Sequence, residues 1–487
     1  MSTDHIYDAV ILGAGFGGLG QAAQFRRDGI DDFIILEKAP DIGGVWRDNT
    51  YPGAACDTQT PIYCYSYFLH LSATKMFAGQ DELLAYLHDL VDAFELSDKL
   101  RLGHEVITAK WDEADGIWTL DTSQGQRFRC RVFVPAWGQL STPSIPTLPG
   151  IDTFTGVWFH SARWRHDVDL TGARVASVGN AATAVQYVPE LARTVSTLAV
   201  FQRSANYILP RNQHEFSADE RRMFLTDPDS YRRVRSDIHK LREDGFARTR
   251  LGTTQAQEGA QQALAHLTAQ VPDPELRAKL IPDYDFGCKR ILRSDDYYPA
   301  LTRDNVDLIT DRIEAITPEG IRTADGRERR FDVIVFATGF KSQAFQGNLR
   351  IVGREDVTLD QRWGNTPEAY LGMSVDGFPN MFLVYGPNTN LNHNSVVTML
   401  EAQHRYIASC VHYLRADSAR TLEVDPEVLR AFNTRVQEEL EQSAFSASCT
   451  SWYKNADGKI INNWCGTVEE YHAETEQLLL TDYGIRV

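Results

Sequence analysis

An α/β fold with two parallel-stranded units and a helical insertion is predicted for this 487-residue chain by three observations. An apolar run, Ala9-Val10-Ile11-Leu12, meets the turn Gly13-Ala14-Gly15-Phe16-Gly17-Gly18, a helix-like stretch to Gly29, and then Phe33-Ile34-Ile35-Leu36-Glu37. The same plan recurs at Arg174-Val175-Ala176-Ser177-Val178, the turn Gly179-Asn180-Ala181-Ala182-Thr183-Ala184, a helix to about Ala192, and Leu198 to Arg203. Between Pro210 and Pro282 the sequence becomes charged and helix-favouring. Strand, glycine turn, helix and strand in that order make each repeat a Rossmann-like dinucleotide-binding unit. The chain accordingly divides into one domain over 1–150 and 375–487, a second over 151–210 and 287–374, and the insertion over 211–286.

In the first turn Gly13 permits the tight bend, Gly15 lets a pyrophosphate approach the backbone, and Gly18 lets the helix pack on the strand. The helix N-terminus receives the phosphate charge. Glu37 is placed to hydrogen-bond an adenosine ribose. The following stretch, Gly43-Gly44-Val45-Trp46 and then Asn49 to Asp57, is too rich in glycine and proline for regular structure. It reads as a loop laid along a flat ligand, with Gly44, Trp46 and Asp57 against it. These residues resemble the flavin-containing monooxygenases, and within them the Baeyer-Villiger monooxygenases, in which a GGxW…NxYPGxxCD run borders FAD. The resemblance extends from Asp8 to about Tyr483.

The aromatic cluster Ile62 to Phe68 either walls an apolar pocket or belongs to the core, and its Tyr63 is assigned to the cofactor. Asp81 to Phe94 carries apolar residues at the spacing of an amphipathic helix. Val106 to Asp121 and Gln126 to Val134 read as strands, with Asp115-Gly116 as a hairpin turn between Trp111 and Trp118. The proline-rich Ser141 to Pro149 is a linker.

In the second unit Arg203 lies 24 positions after Gly179, as Glu37 lies 24 after Gly13. An acid at that place suits a free ribose hydroxyl, whereas an arginine suits a 2′-phosphate, so the first unit is assigned FAD and the second NADP. Gly179, Ala181, Thr183, Arg203 and Ser204 form the second cofactor set. Ala181 replaces the expected middle glycine, and its methyl is expected to push the pyrophosphate outward or tilt the turn. In the insertion, Ser217-Ala218-Asp219-Glu220 is a capping box, with Asp227-Pro228 and Pro272-Asp273-Pro274 as helix boundaries. Val306 to Ile309, Ile316 to Thr323 and Asp332 to Phe340 resume the second unit. Phe382 to Pro387 and a helix from about Ser395 to Leu414 return to the first.

Composition sets the outer bounds. Hydrophobic residues make up 43% and charged residues 24%, an ordinary globular balance. The net charge of −17 argues against nucleic acid or an anionic membrane as partner. The N-terminus, Met1 to His5, lacks the basic and apolar segments of a leader, and no stretch reaches the length of a membrane span, so a cytoplasmic protein is expected, monomeric or homodimeric. Seven scattered cysteines form no CxxC or metal-like spacing and are expected to be reduced, packed thiols.

Phe154-Thr155-Gly156-Val157-Trp158-Phe159-His160-Ser161-Ala162-Arg163-Trp164 resembles the FxGxxxHxxxW fingerprint of the Baeyer-Villiger and related N-hydroxylating enzymes, and His160 is assigned a domain-positioning role. Asp285-Phe286-Gly287-Cys288-Lys289-Arg290 resembles the family segment in which the lysine lies near the 2′-phosphate and the arginine at the flavin face. That likeness implies Arg290 as catalytic residue with Asp57 as its charge partner. It also implies a reaction: NADPH reduces the flavin, dioxygen adds at C4a, and the peroxide attacks a ketone to give an ester or lactone. A permanent cation suits both peroxide and tetrahedral adduct. Trp452, in Ser451-Trp452-Tyr453, matches a family tryptophan that contacts the nicotinamide half of NADP. Two alternatives stay open: oxygen transfer to nitrogen or sulfur, which needs no carbonyl-facing arginine, and a reductase or scaffold without productive oxygenation. The second is motivated by Ala181, Arg165, Trp137 and Cys465, each of which departs from the family pattern.

Overall fold

The computed structural model describes residues 5–343, 345–416 and 420–486; the N-terminal Met1 to Asp4, on which the expectation about a leader rests, lies outside them. The first unit is a seven-stranded sheet built from β1 (Ile6–Leu12), β2 (Phe33–Leu36), β3 (Leu100–Arg101), β4 (Val106–Asp112), β5 (Ile117–Thr122), β6 (Arg127–Pro135) and a late strand at Arg350–Val352. The order runs from that late strand through β4, β5, β6, β1 and β2 to β3. β1 is parallel to both β2 and β6, and the β4–β5–β6 meander is antiparallel, with Trp111 opposite Trp118 as the hairpin reading requires. β1 and β2 are near-continuous apolar runs because both faces are covered: Ala9, Ile11, Phe33 and Ile35 pack with the helices of one core, and Val10, Ile34 and Leu36 pack on Trp111 and Trp118 of the meander in another. The helix Phe16–Arg27 lies against the long helix Val396–Arg415, so that both ends of the chain build one core.

The second sheet uses β7 (Val157–His160), β8 (Arg174–Val178), β9 (Thr197–Phe201), β12 (Val306–Ile309) and β16 (Val333–Phe336), all parallel in the order β12-β9-β8-β16-β7. A two-stranded ribbon, β10 (Ile208–Leu209) with β11 (Leu292–Arg293), carries the chain into and out of the insertion. A separate meander, β13 (Ile313–Thr317), β14 (Gly320–Thr323) and β15 (Glu328–Arg330), follows β12. The late strand, β17, pairs with β4 of the first sheet. This corrects the expected return to the first domain at residue 375: the chain re-enters it by Arg350.

The insertion is helical: Ala218–Thr226, Pro228–Asp244, Thr254–Gln270 and Pro274–Lys279. Ser217 and Glu220 form the reciprocal capping box, and Pro228 and Pro274 open their helices where no amide hydrogen is needed. Two carboxylates, one half-buried and one buried, latch it down. Glu243 accepts hydrogen bonds from His393 Nε2 (3.1 Å), Asn394 Nδ2 (2.6 Å) and the backbone of Val468 (3.1 Å). Glu401 accepts from Ser66 and pairs with Arg235 at 3.5 Å.

Five cysteines are buried free thiols, as expected, but Cys288 and Cys449 are joined in a disulfide. Spacing could not reveal a bridge across 161 residues of sequence. Among the described residues no helix is long and apolar enough to cross a membrane, and no cluster of three metal-ligating side chains occurs.

Candidate functional site

The two glycine turns have the same geometry. Gly13 and Gly179 take φ of +104° and +111°, and a Cβ on either would meet the carbonyl oxygen of Ala136 at 2.6 Å or of Ala337 at 2.3 Å. Only glycine fits that conformation and that approach. Gly15 (φ −91°, ψ −168°) and Ala181 (φ −88°, ψ −161°) then cap their helices in matching extended conformations. Ala181 therefore does not tilt the turn, because alanine adopts this backbone freely; its side chain is simply exposed. A Cβ on Gly18 would come within 1.8 Å of Gly13 O, whereas the buried Ala184 is accommodated at the equivalent place.

Glu37 sits under the first turn. It accepts from Ala14 N and Ala39 N, both at 2.9 Å, and from Arg47 at 3.2 Å. Gly44, at φ +56°, packs on Gly15 closely enough that a Cβ would lie 3.2 Å from Gly15 Cα. Trp46 Nε1 donates to Tyr63 Oη at 3.2 Å, and the Phe16 and Tyr63 rings meet edge to face, so these side chains form one wall beside the turn.

At the second unit Lys289 Nζ donates to Ser204 Oγ at 2.7 Å and lies over the Tyr284 ring. Burial, and then Arg203 nearby, push the Lys289 ammonium below its ordinary pKa. Two cations and a hydroxyl are thus gathered beside an exposed turn, the donor types that a dianion requires. Thr183 stands half-buried in the first turn of the helix Ala182–Leu191.

Between the units Arg290 holds Asp57. Nε donates to Oδ2 at 3.0 Å, and one terminal nitrogen donates to Oδ1 at 2.8 Å and Oδ2 at 2.7 Å. Burial pushes the Asp57 carboxyl up, but Arg290 and further arginines hold it below the ordinary carboxylate range, and Asp57 in turn raises the Arg290 guanidinium. Both partners stay ionised. The charge of Arg290 is also felt at the hydroxyls of Tyr453 and Tyr385. Tyr453 Oη donates to Asn392 at 2.7 Å, and Tyr385, at φ +60°, donates to Asn390 at 2.7 Å. Trp452 is half-buried and packs on Tyr453, with ring centroids 4.5 Å apart.

The loop before Asp57 is joined to the second unit by Gln186 and by a 2.8 Å hydrogen bond between Thr50 and His166. Gln186 donates to Ala55 O at 2.8 Å and accepts from Tyr51 Oη at 2.8 Å and from Ala55 N at 3.4 Å. His160 is buried at the end of β7, accepts from Ala162 N at 3.1 Å, and is held neutral by burial, in keeping with a positioning role. Arg165 is an exposed partner of Asp167. Trp137 packs on the core of the first sheet, and burial pushes the Cys465 thiol up to about 12. Neither points to altered chemistry.

The site thus gathers residues that sequence reasoning had placed separately, and adds Tyr385, Tyr453, Gln186, Arg211, Arg242 and Arg293. Tyr385 and Tyr453 were within reach, since each adjoins a motif already singled out. The arginines carry no local signal, because arginine side chains are more often offered to water, whether on a helix as Arg242 or beside the short strands as Arg211 and Arg293.

Residues 8–225 match the family model described as flavin-binding monooxygenase-like. A Baeyer-Villiger monooxygenase of Streptomyces coelicolor is 40% identical, with 99% of this chain and 93% of that relative aligned. Another from Pseudomonas aeruginosa is 40% identical across 98% of this chain and 90% of its own length. Among solved structures, a steroid monooxygenase bound to NADP superposes with a TM-score of 0.89 at 30% identity, covering 99% of this chain and all of that one. A cyclohexanone monooxygenase in its closed form gives 0.89 at 28%, with 99% of each chain covered.

Proposed function

The chain belongs to the Baeyer-Villiger monooxygenases, and from that premise we propose that it converts a ketone to an ester or lactone with FAD, NADPH and dioxygen, through Arg290 and Asp57. The residues fit both cofactors. The Gly15–Gly44 contact leaves a cradle that a single Cβ would fill, and Lys289, Arg203 and Ser204 offer a second charged group its counter-ions. When bound, FAD and NADPH supply the reducing equivalents and the activation of dioxygen.

The residues of the chain do the rest. Gly13, Gly15, Gly18 and Glu37, with Gly44, Trp46 and Tyr63, bind and orient FAD. Gly179, Ala181, Thr183, Arg203, Ser204 and Lys289 bind NADPH, with Trp452 at its nicotinamide end. Asp57 fixes the guanidinium plane of Arg290. Arg290 keeps its proton throughout and stabilises the negative charge that builds on the substrate's carbonyl oxygen. Tyr385 and Tyr453 pack beside Arg290 and limit water around it.

The observation that carries this reading is the ionised Arg290–Asp57 pair set between two glycine turns. A heteroatom oxygenation needs no such cation facing the acceptor. The test is turnover of a ketone panel with NADPH under ¹⁸O-labelled dioxygen. One labelled oxygen in an ester product supports the reading; stoichiometric hydrogen peroxide with every ketone unchanged overturns it.

A further inference from the structure

Beside Asp57 lies a surplus of guanidinium groups that the reaction as described leaves unused. Arg242 comes from the last turn of the insertion helix Pro228–Asp244, Arg293 from β11, and Arg211 from the residue pair following β10. Arg290, Arg242 and Arg211 all act on the Asp57 carboxylate, and Arg293 is drawn to it as well. That one carboxylate is already gripped by Arg290.

The other three have neutral partners. Arg242 Nε donates to the Gln59 amide oxygen at 2.9 Å, Arg293 to Pro210 O at 3.2 Å and Arg211 to Cys56 O at 2.9 Å. The buried Nε of Arg211 has no partner at all. Asp295, held by the backbone of Arg211, Asn212 and Gln213, offsets part of the Arg211 charge together with Asp296. Arg242 and Arg293 have only Asp57, which Arg290 already holds, to offset them, and they repel one another. Burial first, and then Arg293, bring the Arg242 guanidinium down to about 10. Largely buried like charges held only by carbonyl and amide oxygens are costly unless a counter-charge arrives with a ligand.

On the proposed function Arg203, Ser204 and Lys289 take the 2′-phosphate and the two glycine turns take the pyrophosphates, so no cofactor phosphate calls for Arg242 and Arg293. Planar guanidiniums suit a planar carboxylate. We propose that the substrate is a keto acid, whose carboxylate seats against Arg242 and Arg293 while its ketone lies at Arg290. This rests on the monooxygenase reading above. The insertion thereby sets specificity through Arg242.

The test compares straight-chain oxo acids with their methyl esters as substrates of the FAD-loaded enzyme. Equilibrium dialysis of the same acids against the oxidised enzyme without NADPH reads binding independently of turnover. The wild type should favour the acid over its ester by tenfold or more in kcat/KM, chiefly through KM. Arg242→Gln should bring that ratio towards one, and Arg242→Lys should restore part of it. Should the variants lose FAD, competition in the wild type decides: heptanoate, and not heptanamide, should inhibit turnover of a neutral ketone. An equal or reversed preference in the wild type overturns the proposal. So does an Arg242→Gln enzyme with the ratio intact and a raised KM for NADPH, which would assign the arginines to the cofactor. Absence of ester from every ketone would count against the monooxygenase reading alone. Dialysis would then uphold the anion site if the acid binds the wild type but not Arg242→Gln, and reject it if the wild type does not bind.

Discussion

Arg290 and Asp57, 233 residues apart in sequence, form a two-pronged ion pair with nitrogen–oxygen distances of 2.7 to 3.0 Å. The carboxylate occupies one edge of the guanidinium and fixes its plane, leaving the rest of that group for a reacting oxygen. Arg290→Ala is expected to retain FAD and flavin reduction by NADPH while ester formation falls by about 10²- to 10³-fold, the scale of losing one oxyanion donor. Single-turnover product analysis after anaerobic reduction and admission of air checks it, and unchanged ester yield would remove Arg290 from the mechanism.

Arg203 and Lys289 converge with Ser204 on one small region of the second unit. Arg203→Ala should raise the KM for NADPH about tenfold or more and leave that for NADH nearly unchanged, since only the former brings a 2′-phosphate. Flavin reduction rates measured against both nucleotides decide it; equal losses would sink the assignment.

Gly15 and Gly18 differ in what surrounds them. A Cβ on Gly15 would reach Gly44 Cα at an ordinary 3.6 Å, whereas one on Gly18 would meet Gly13 O at 1.8 Å. Gly15→Ala should therefore fold with little change in Tm and lose FAD affinity, while Gly18→Ala should be destabilised even without flavin. Thermal melts of the two apoproteins separate ligand obstruction from backbone conflict.

Glu243 carries a pH-dependent share of the stability. Burial alone would raise its pKa, but hydrogen bonds from His393 and Asn394 hold it at about 2. Because the folded value lies below the ordinary 4.5, its contribution is complete above about pH 4.5 and is lost as pH falls towards 2. Glu243→Gln should cost about 1 kcal/mol at neutral pH, solvent screening of this half-buried group reducing the full linkage value, and should flatten the acid limb of the stability curve between those values. Urea melts across that range supply the measurement.

The Cys288–Cys449 bridge is directly countable. Alkylation in denaturant without reductant should label five of the seven cysteines, and all seven after reduction. Seven labels without reductant would show the bridge absent in solution.

Much of the architecture could be read from the chain because it depends on local rules. Glycine turns, apolar runs and capping residues act within a few positions, so both dinucleotide units and the boundaries of the insertion helices were legible. Arg290 and Asp57 were reached only through resemblance, since neither residue betrays its partner locally. The late strand Arg350–Val352, the Cys288–Cys449 bridge and the arginines around Asp57 depend on long-range chain return, which leaves no periodic trace. At Ala181 a motif rule offered two outcomes, and the backbone, already extended there, removes the tilted turn.

Gln186 deserves a mechanical reading. Its one side-chain amide grips Ala55 and Tyr51, which belong to the same loop as Asp57, so the second unit is pinned beside the Arg290–Asp57 pair. The insertion is fastened by Glu243 and Glu401, and reaches the same stretch through Arg242 at Gln59. On the proposed function, the half that delivers hydride and the insertion that selects the acceptor are thus held through different side chains, so that changes in the insertion can recut the pocket while the hydride-delivering half keeps its alignment.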